Sequence, residues 1–233
     1  MERRTFIRLV AGMLVLAAFL IPAAADAGQP RRHTVLVDPA HGGDDSGVVA
    51  DKLREKDLTL RIALLMQEEA QKAEDLQVRL TRNADRALTT DERIKAAGDP
   101  RPECVISLHI NAGFGKQANG YEVYFPGFAP EGSREGGSSP VLKDMAKNRS
   151  LNDSVRLAQQ IQSALETVFP RKGRGLREAP NALLSGLSIP GLVVEIGFAT
   201  NQQERERLTG EATQRAVARA LVKGIREYFR GAP

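Results

Sequence analysis

The 233-residue chain is 42% hydrophobic, 5% aromatic and 27% charged, with a formal net charge of +4, one cysteine and three histidines. That composition suits one globular domain that buries its core without disulfides, and a single cysteine excludes both an intramolecular disulfide and a cysteine-rich zinc cluster. The small positive excess is spread along the chain rather than gathered into a basic stripe, which argues against a nucleic-acid-binding role.

The chain opens with Arg3, Arg4 and Arg8, continues through an uncharged, mostly aliphatic run from 9 to 21, and reaches Ala23-Ala24-Ala25-Asp26-Ala27. A basic start, an apolar centre and a small-residue site read as a secretory signal peptide over 1–27, cleaved after Ala27. The apolar run falls short of the ~20 residues that a permanent membrane helix needs. No stable membrane span is therefore expected after cleavage, and 28–32 is a short linker. Arg3-Arg4-Thr5-Phe6-Ile7-Arg8 is also similar to a twin-arginine export signal. By either route the mature protein is expected in the periplasm or outside the cell.

Extended and helical patterns alternate from there on. His33-Thr34-Val35-Leu36-Val37-Asp38 predicts a buried strand. Apolar residues at 58, 62 and 65 predict a helix over 55–74, and alternation over 76–81 predicts a second strand. Thr89-Thr90-Asp91-Glu92 has the form of a capping box, with a short helix after it ending near Gly98. Strands follow over 104–108 and 121–125. Leu151, Val155, Ala158, Ile161, Leu165 and Val168 mark one face of a long helix, and Leu192-Val193-Val194 the core of the last strand. Asn201-Gln202-Gln203-Glu204 caps another helix, and the final helix is predicted over 211–229. The pattern implies a single α/β domain over 33–230, its mainly parallel central sheet flanked by helices on both faces.

Residues 126–150, rich in glycine and proline, are longer than the usual ~4–6-residue connection. Within them, 140–148 is expected to form a short helix capped by Ser139.

Ligands of open α/β sheets bind beyond the carboxyl ends of the strands. His41, His109 and Glu195 each end an apolar run there, and Glu55 opens the first long helix. Two imidazoles and two carboxylates on one edge are the parts of a catalytic zinc site, in which three protein ligands leave the fourth position to water and the remaining carboxylate takes that water's proton. Each has a plainer reading as well: a hydrogen-bonded loop histidine, or an acid favoured at a helix N-terminus. Asp38 is expected either to anchor the turn or to orient His41. Cys104 reads as an inert core residue, and His33 is excluded from the site.

The chain resembles the zinc-dependent N-acetylmuramoyl-L-alanine amidases of bacterial cell walls. The resemblance rests on Val37-Asp38-Pro39-Ala40-His41-Gly42-Gly43, Arg54-Glu55-Lys56-Asp57-Leu58-Thr59-Leu60, Leu80-Thr81-Arg82, Ser107-Leu108-His109-Ile110-Asn111-Ala112, Gly120-Tyr121-Glu122-Val123-Tyr124 and Val194-Glu195-Ile196-Gly197-Phe198-Ala199-Thr200-Asn201, in that order. It implies zinc bound by His41, Glu55 and His109, with Glu195 as the catalytic carboxylate. It further implies peptidoglycan as substrate, cleavage between N-acetylmuramic acid and L-alanine, and an activator protein that moves a lid; the protein is expected to be a monomer. The 126–150 insertion would be that lid, with Asp144 competing for the metal's open position, or else a loop that grips the glycan or a passive surface insertion. Arg82 and Asn111 are expected to touch substrate or support the site. Ala40 stands where the family more often has glycine, and Asn181-Ala182-Leu183-Leu184-Ser185 fits the family's preceding strand only loosely. The rival readings are a related zinc peptidase or deacetylase and a non-catalytic wall-binding protein.

Overall fold

The structure, a computed structural model, describes residues 32–98, 101–127, 138–185, 187 and 189–231, the side chains of 138–147 excepted. The expected signal peptide, the linker up to Arg31 and residues 128–137 of the insertion lie outside them, as does the Asp144 side chain. Among the described residues no helix is long and apolar enough to cross a membrane.

In chain order the elements are β1 (His33–Pro39), β2 (Val49–Ala50), β3 (Leu53–Arg54), α1 (Glu55–Ala70), β4 (Leu76–Leu80), α2 (Thr90–Ala96), β5 (Cys104–Asn111), β6 (Tyr121–Phe125), α3 (Ser138–Leu165), β7 (Gly173–Glu178), α4 (Ala182–Ser185), β8 (Gly191–Phe198), α5 (Gln202–Thr209) and α6 (Glu211–Arg230). Six strands form one sheet in the order β4-β1-β5-β8-β6-β7, and β2 pairs with β3 as a small separate hairpin. The pairs β4–β1, β1–β5, β5–β8 and β6–β7 are parallel; β6 runs antiparallel to β8.

The sheet is covered unequally. Val35, Val37, Ile106, Leu108, Leu192 and Val194 pack with Ile62, Met66, Ile161, Leu165, Val217, Leu221 and Ile225 of α1, α3 and α6 in the main core. On the other face, among the described residues, Leu36, Val105 and Val193 form a much smaller cluster with Ala97 and Leu184, with the partly buried Tyr124, Leu187 and Ile189 packed against it. The thin cover leaves the carboxyl ends of β1, β5 and β8 reachable from solvent. Both predicted caps are present: Thr89 and Glu92 form a reciprocal capping box, and the Asn201 side chain accepts the Glu204 N–H.

Three expectations change. The helix predicted over 140–148 is the opening of α3, which runs unbroken from Ser138 to Leu165, because nothing between 141 and 165 interrupts a helical backbone. Because β6 is antiparallel, it carries the chain away from the catalytic edge: Glu122 lies opposite Glu195, and Tyr124 opposite Val193. At ~3.4 Å per residue the base of the insertion at Pro126, four residues beyond Glu122, is therefore ~14 Å from Glu195 along the strand, and not beside it as the lid reading requires. Finally, 182–185 is a short helix, and the preceding strand is β7, an exposed edge strand of sequence GRGLRE.

Candidate metal centre

His41 leaves β1 in a tight turn with φ +61, a left-handed conformation that non-glycine residues adopt rarely. Two contacts hold it there. Arg93 Nη2 donates to its carbonyl at 2.9 Å, and its Nδ1 lies 2.7 Å from Asp45 Oδ2. Glu55 is delivered by the β2–β3 hairpin as the first residue of α1, and its carboxylate accepts the backbone N–H groups of Val48 (2.8 Å) and Ile110 (2.9 Å). His109 comes from the end of β5.

These three side chains converge. His41 Nε2 is 3.1 Å from Glu55 Oε2, and His109 Nδ1 is 3.1 Å from Glu55 Oε1. The two imidazoles stand 5.5 Å apart at 80°, and one ligand atom from each of the three residues lies within 4.8 Å of the others. Two imidazoles and one carboxylate are a donor set that suits zinc. With Nδ1 engaged by Asp45, His41 presents Nε2 to the centre, the carboxylate–histidine arrangement usual beside bound metals. The Glu55 hydrogen bond, aided by Asp45 against the opposing effect of burial, raises the His41 imidazole to about 9. Burial pushes the Glu55 carboxyl up, but His109, His41 and the two backbone N–H groups outweigh it and hold the carboxyl well below its usual range. A divalent cation would take the place of the proton that His41 holds against this carboxylate.

Gly47 closes the side of the cluster. A Cβ there would lie 2.5 Å from both Glu55 Oε2 and His41 Cδ2, on a backbone with φ +62. Gly47→Ala is therefore expected to displace both side chains and lower zinc retention, read as zinc per protein after dialysis against a weak chelator.

Glu195 sits one strand over, opposite His109 on the parallel β5–β8 ladder, so both side chains leave the same face. Its Oε2 is buried and accepts no hydrogen bond among the described residues. Burial, reinforced by Glu55 and Glu122 and only partly opposed by His109 and His41, lifts its carboxyl to about 7. A carboxyl poised there, with an idle oxygen, is suited to accept and return a proton.

Asp38 proves to be the anchor of the turn and does not orient His41. It accepts from Thr81 Oγ1 (2.6 Å), Ser107 Oγ (2.9 Å) and Arg93 Nη1 (2.6 Å). The orienting acid is Asp45, i+4 from His41, a spacing visible in the sequence but not used. Arg82 does not meet substrate: it is 1% exposed and donates to the carbonyls of Pro39, Ala40 and Lys56 at 2.8–2.9 Å. It thereby ties the turn carrying His41 to the start of the helix carrying Glu55. The single nitrogen of a lysine could not reach carbonyls that Arg82 meets separately through Nε and Nη2, so Arg82→Lys is expected to cost ~2–4 kcal/mol, measured by urea unfolding. Asn111 Nδ2 donates to Glu122 Oε2 at 2.8 Å. Cys104 is fully buried and burial pushes its thiol up, and His33 stacks on Phe229 away from the cluster.

Comparison with known proteins bears on the family of the chain. The family model described as N-acetylmuramoyl-L-alanine amidase matches residues 35–227. YqiI of Bacillus subtilis strain 168, itself uncharacterized, is 31% identical over 214 residues, 92% of this chain and 93% of that protein. The N-acetylmuramoyl-L-alanine amidase AmiC of Escherichia coli O6:H1 is 27% identical across 89% of this chain but only 55% of its own length. The crystal structure of an N-acetylmuramoyl-L-alanine amidase from Clostridium difficile 630 superimposes with a TM-score of 0.72 and 28% identity, covering 87% of this chain and 100% of that one. The chain thus spans nearly all of YqiI and about half of AmiC.

Proposed function

The chain belongs to the N-acetylmuramoyl-L-alanine amidase family, and from that premise we propose that it hydrolyses the amide between N-acetylmuramic acid and the L-alanine of the peptidoglycan stem peptide, with zinc held by His41, Glu55 and His109 and Glu195 as the proton carrier. The observation that carries this reading is the pairing of a converged His-Glu-His set with a carboxylate one strand away whose one oxygen is buried and idle among the described residues.

When bound, zinc would polarise the scissile carbonyl and make water acidic enough to attack near neutral pH. The protein supplies the rest. Asp45 fixes the tautomer and orientation of His41. Two backbone N–H groups hold the Glu55 carboxylate in place. Glu195 takes the proton from the attacking water and returns it to the leaving nitrogen of L-alanine, so the products are a lactyl carboxylate and a peptide with a free amino terminus. The opposing His109–Glu195 register keeps base and ligands on one face at fixed separation.

We further propose that the protein is exported by its signal peptide and acts in the periplasm or outside the cell as a monomer, released or positioned by an activator protein. Asp45→Ala tests the supporting arrangement. Zinc affinity should fall ~10–100-fold, the usual cost of losing such a partner. Unchanged affinity, measured by competition with a chromogenic chelator, would remove Asp45 from the account.

A further inference from the structure

Beside Glu195 lies a second charged cluster that the proposed mechanism does not use. Glu122 is directly opposite Glu195 on the antiparallel β6–β8 ladder, so the two side chains share a face with Cβ atoms ~5 Å apart. It is 3% exposed. One of its oxygens accepts from Asn111 Nδ2 (2.8 Å) and Tyr124 OH (2.7 Å). The other faces Arg174 Nε at 2.9 Å and Arg177 Nη2 at 3.5 Å.

Two features set this apart from simple charge neutralisation. First, the Glu122 carboxylate faces two guanidinium groups, each nearly half exposed (41% and 47%), so both cations stay open to solvent on one side. Second, the backbone is bent to make it so. Tyr121 pairs with Gly173 and Val123 with Leu176, so that Arg174 and Gly175 together oppose the single residue Glu122. The bulge depends on Gly175, whose φ is +86. Bulges of this kind re-aim a side chain beside active sites. The Arg174 guanidinium also lies 5.2 Å over the Phe198 ring, which fixes its plane.

We propose that Arg174 and Arg177 form a carboxylate-binding subsite that holds a free carboxylate of the stem peptide one or two residues beyond the L-alanine, so that the anionic peptide is the preferred substrate. The proposal rests on the amidase reading. An extended peptide advances ~3.3–3.6 Å per residue, so a carboxylate one or two residues on is carried toward β7, the second strand from Glu195, whose Arg174 and Arg177 reach back to Glu122 on the strand between. Arg177 is the free arm: its contact with Glu122 is long, and donors on its planar fork remain for a bidentate partner.

The test uses zinc-loaded protein and two muropeptides that differ only in whether the residue after L-alanine carries a free carboxylate or a carboxamide. The wild-type protein should favour the carboxylate about tenfold in kcat/KM, the scale of one charge-assisted hydrogen-bonded pair, with the difference in KM rather than kcat. Arg177→Gln should bring the ratio to within about twofold of one, and Arg177→Lys should restore part of it, a point charge replacing a fork. A wild-type ratio near one, or a ratio undiminished in Arg177→Gln, overturns the subsite while cleavage of both muropeptides leaves the amidase reading standing. Failure of zinc-loaded wild-type protein to cut either muropeptide overturns both.

Discussion

Replacing Glu195 by glutamine is expected to lower turnover by ~10²–10⁴-fold while leaving stoichiometric zinc bound. The side chain keeps its shape, so the strand and the neighbouring His109 need not move. What is lost is the only described acidic oxygen at the site that is buried, idle and lifted to about 7. Folding should survive the change. In the metal-free protein the raised carboxyl favours the protonated form, so wild-type stability falls as pH rises from the ordinary carboxyl value of 4.5 toward 7. Glutamine carries no such loss, and the variant should melt no lower than wild type at pH 8. Turnover within a factor of ~3 of wild type would remove Glu195 from the chemistry, and loss of zinc would make it a ligand and leave Glu55 as the base.

His109→Ala should behave oppositely, losing metal and activity together. A catalytic zinc site holds its ion with three protein ligands. Removing His109 leaves Glu55, 2% exposed, with one imidazole and two backbone N–H groups. The expected fall in zinc affinity exceeds the ~10–100-fold assigned to Asp45, because a direct ligand is gone. His109 is at a strand end with about a quarter of its side chain exposed, so the fold should persist. Far-ultraviolet circular dichroism alongside zinc analysis separates metal loss from unfolding. Retention of stoichiometric zinc by a folded His109→Ala protein would show that His109 is no ligand.

The parts of the site that could be read from the sequence are those announced by hydrophobic contrast. His41, His109 and Glu195 each end an apolar run, and the run itself says that the polar residue reaches a sheet edge. Glu55 was visible as the first residue of an amphipathic helix. The hidden parts depend on relations that periodicity does not encode. Strand direction is one: Tyr121-Glu122-Val123-Tyr124-Phe125 reads the same parallel or antiparallel, yet its antiparallel sense sends the insertion away from the metal centre and puts Glu122 opposite Glu195. The edge strand β7 is another. Gly173-Arg174-Gly175-Leu176-Arg177-Glu178 has neither apolar alternation nor β-branched residues, because a bulged, solvent-exposed edge needs neither. Arg82 reads from the sequence as either a substrate contact or a support of the site, and only the fold decides for the support. The burial of Arg82 follows from three backbone carbonyls at the junction of β1 and α1, a long-range arrangement no local pattern shows.

Whether His41, Glu55 and His109 hold a zinc ion with which Glu195 opens one particular amide is decided by mass spectrometry of the products formed from a purified muropeptide by protein of measured zinc content. One zinc per chain is expected, and an intact stem peptide released with a free L-alanine amino terminus, its release being lost on chelation and recovered on zinc addition. Cleavage within the peptide, release of acetate from the sugar, or cleavage by protein holding no zinc would contradict that assignment.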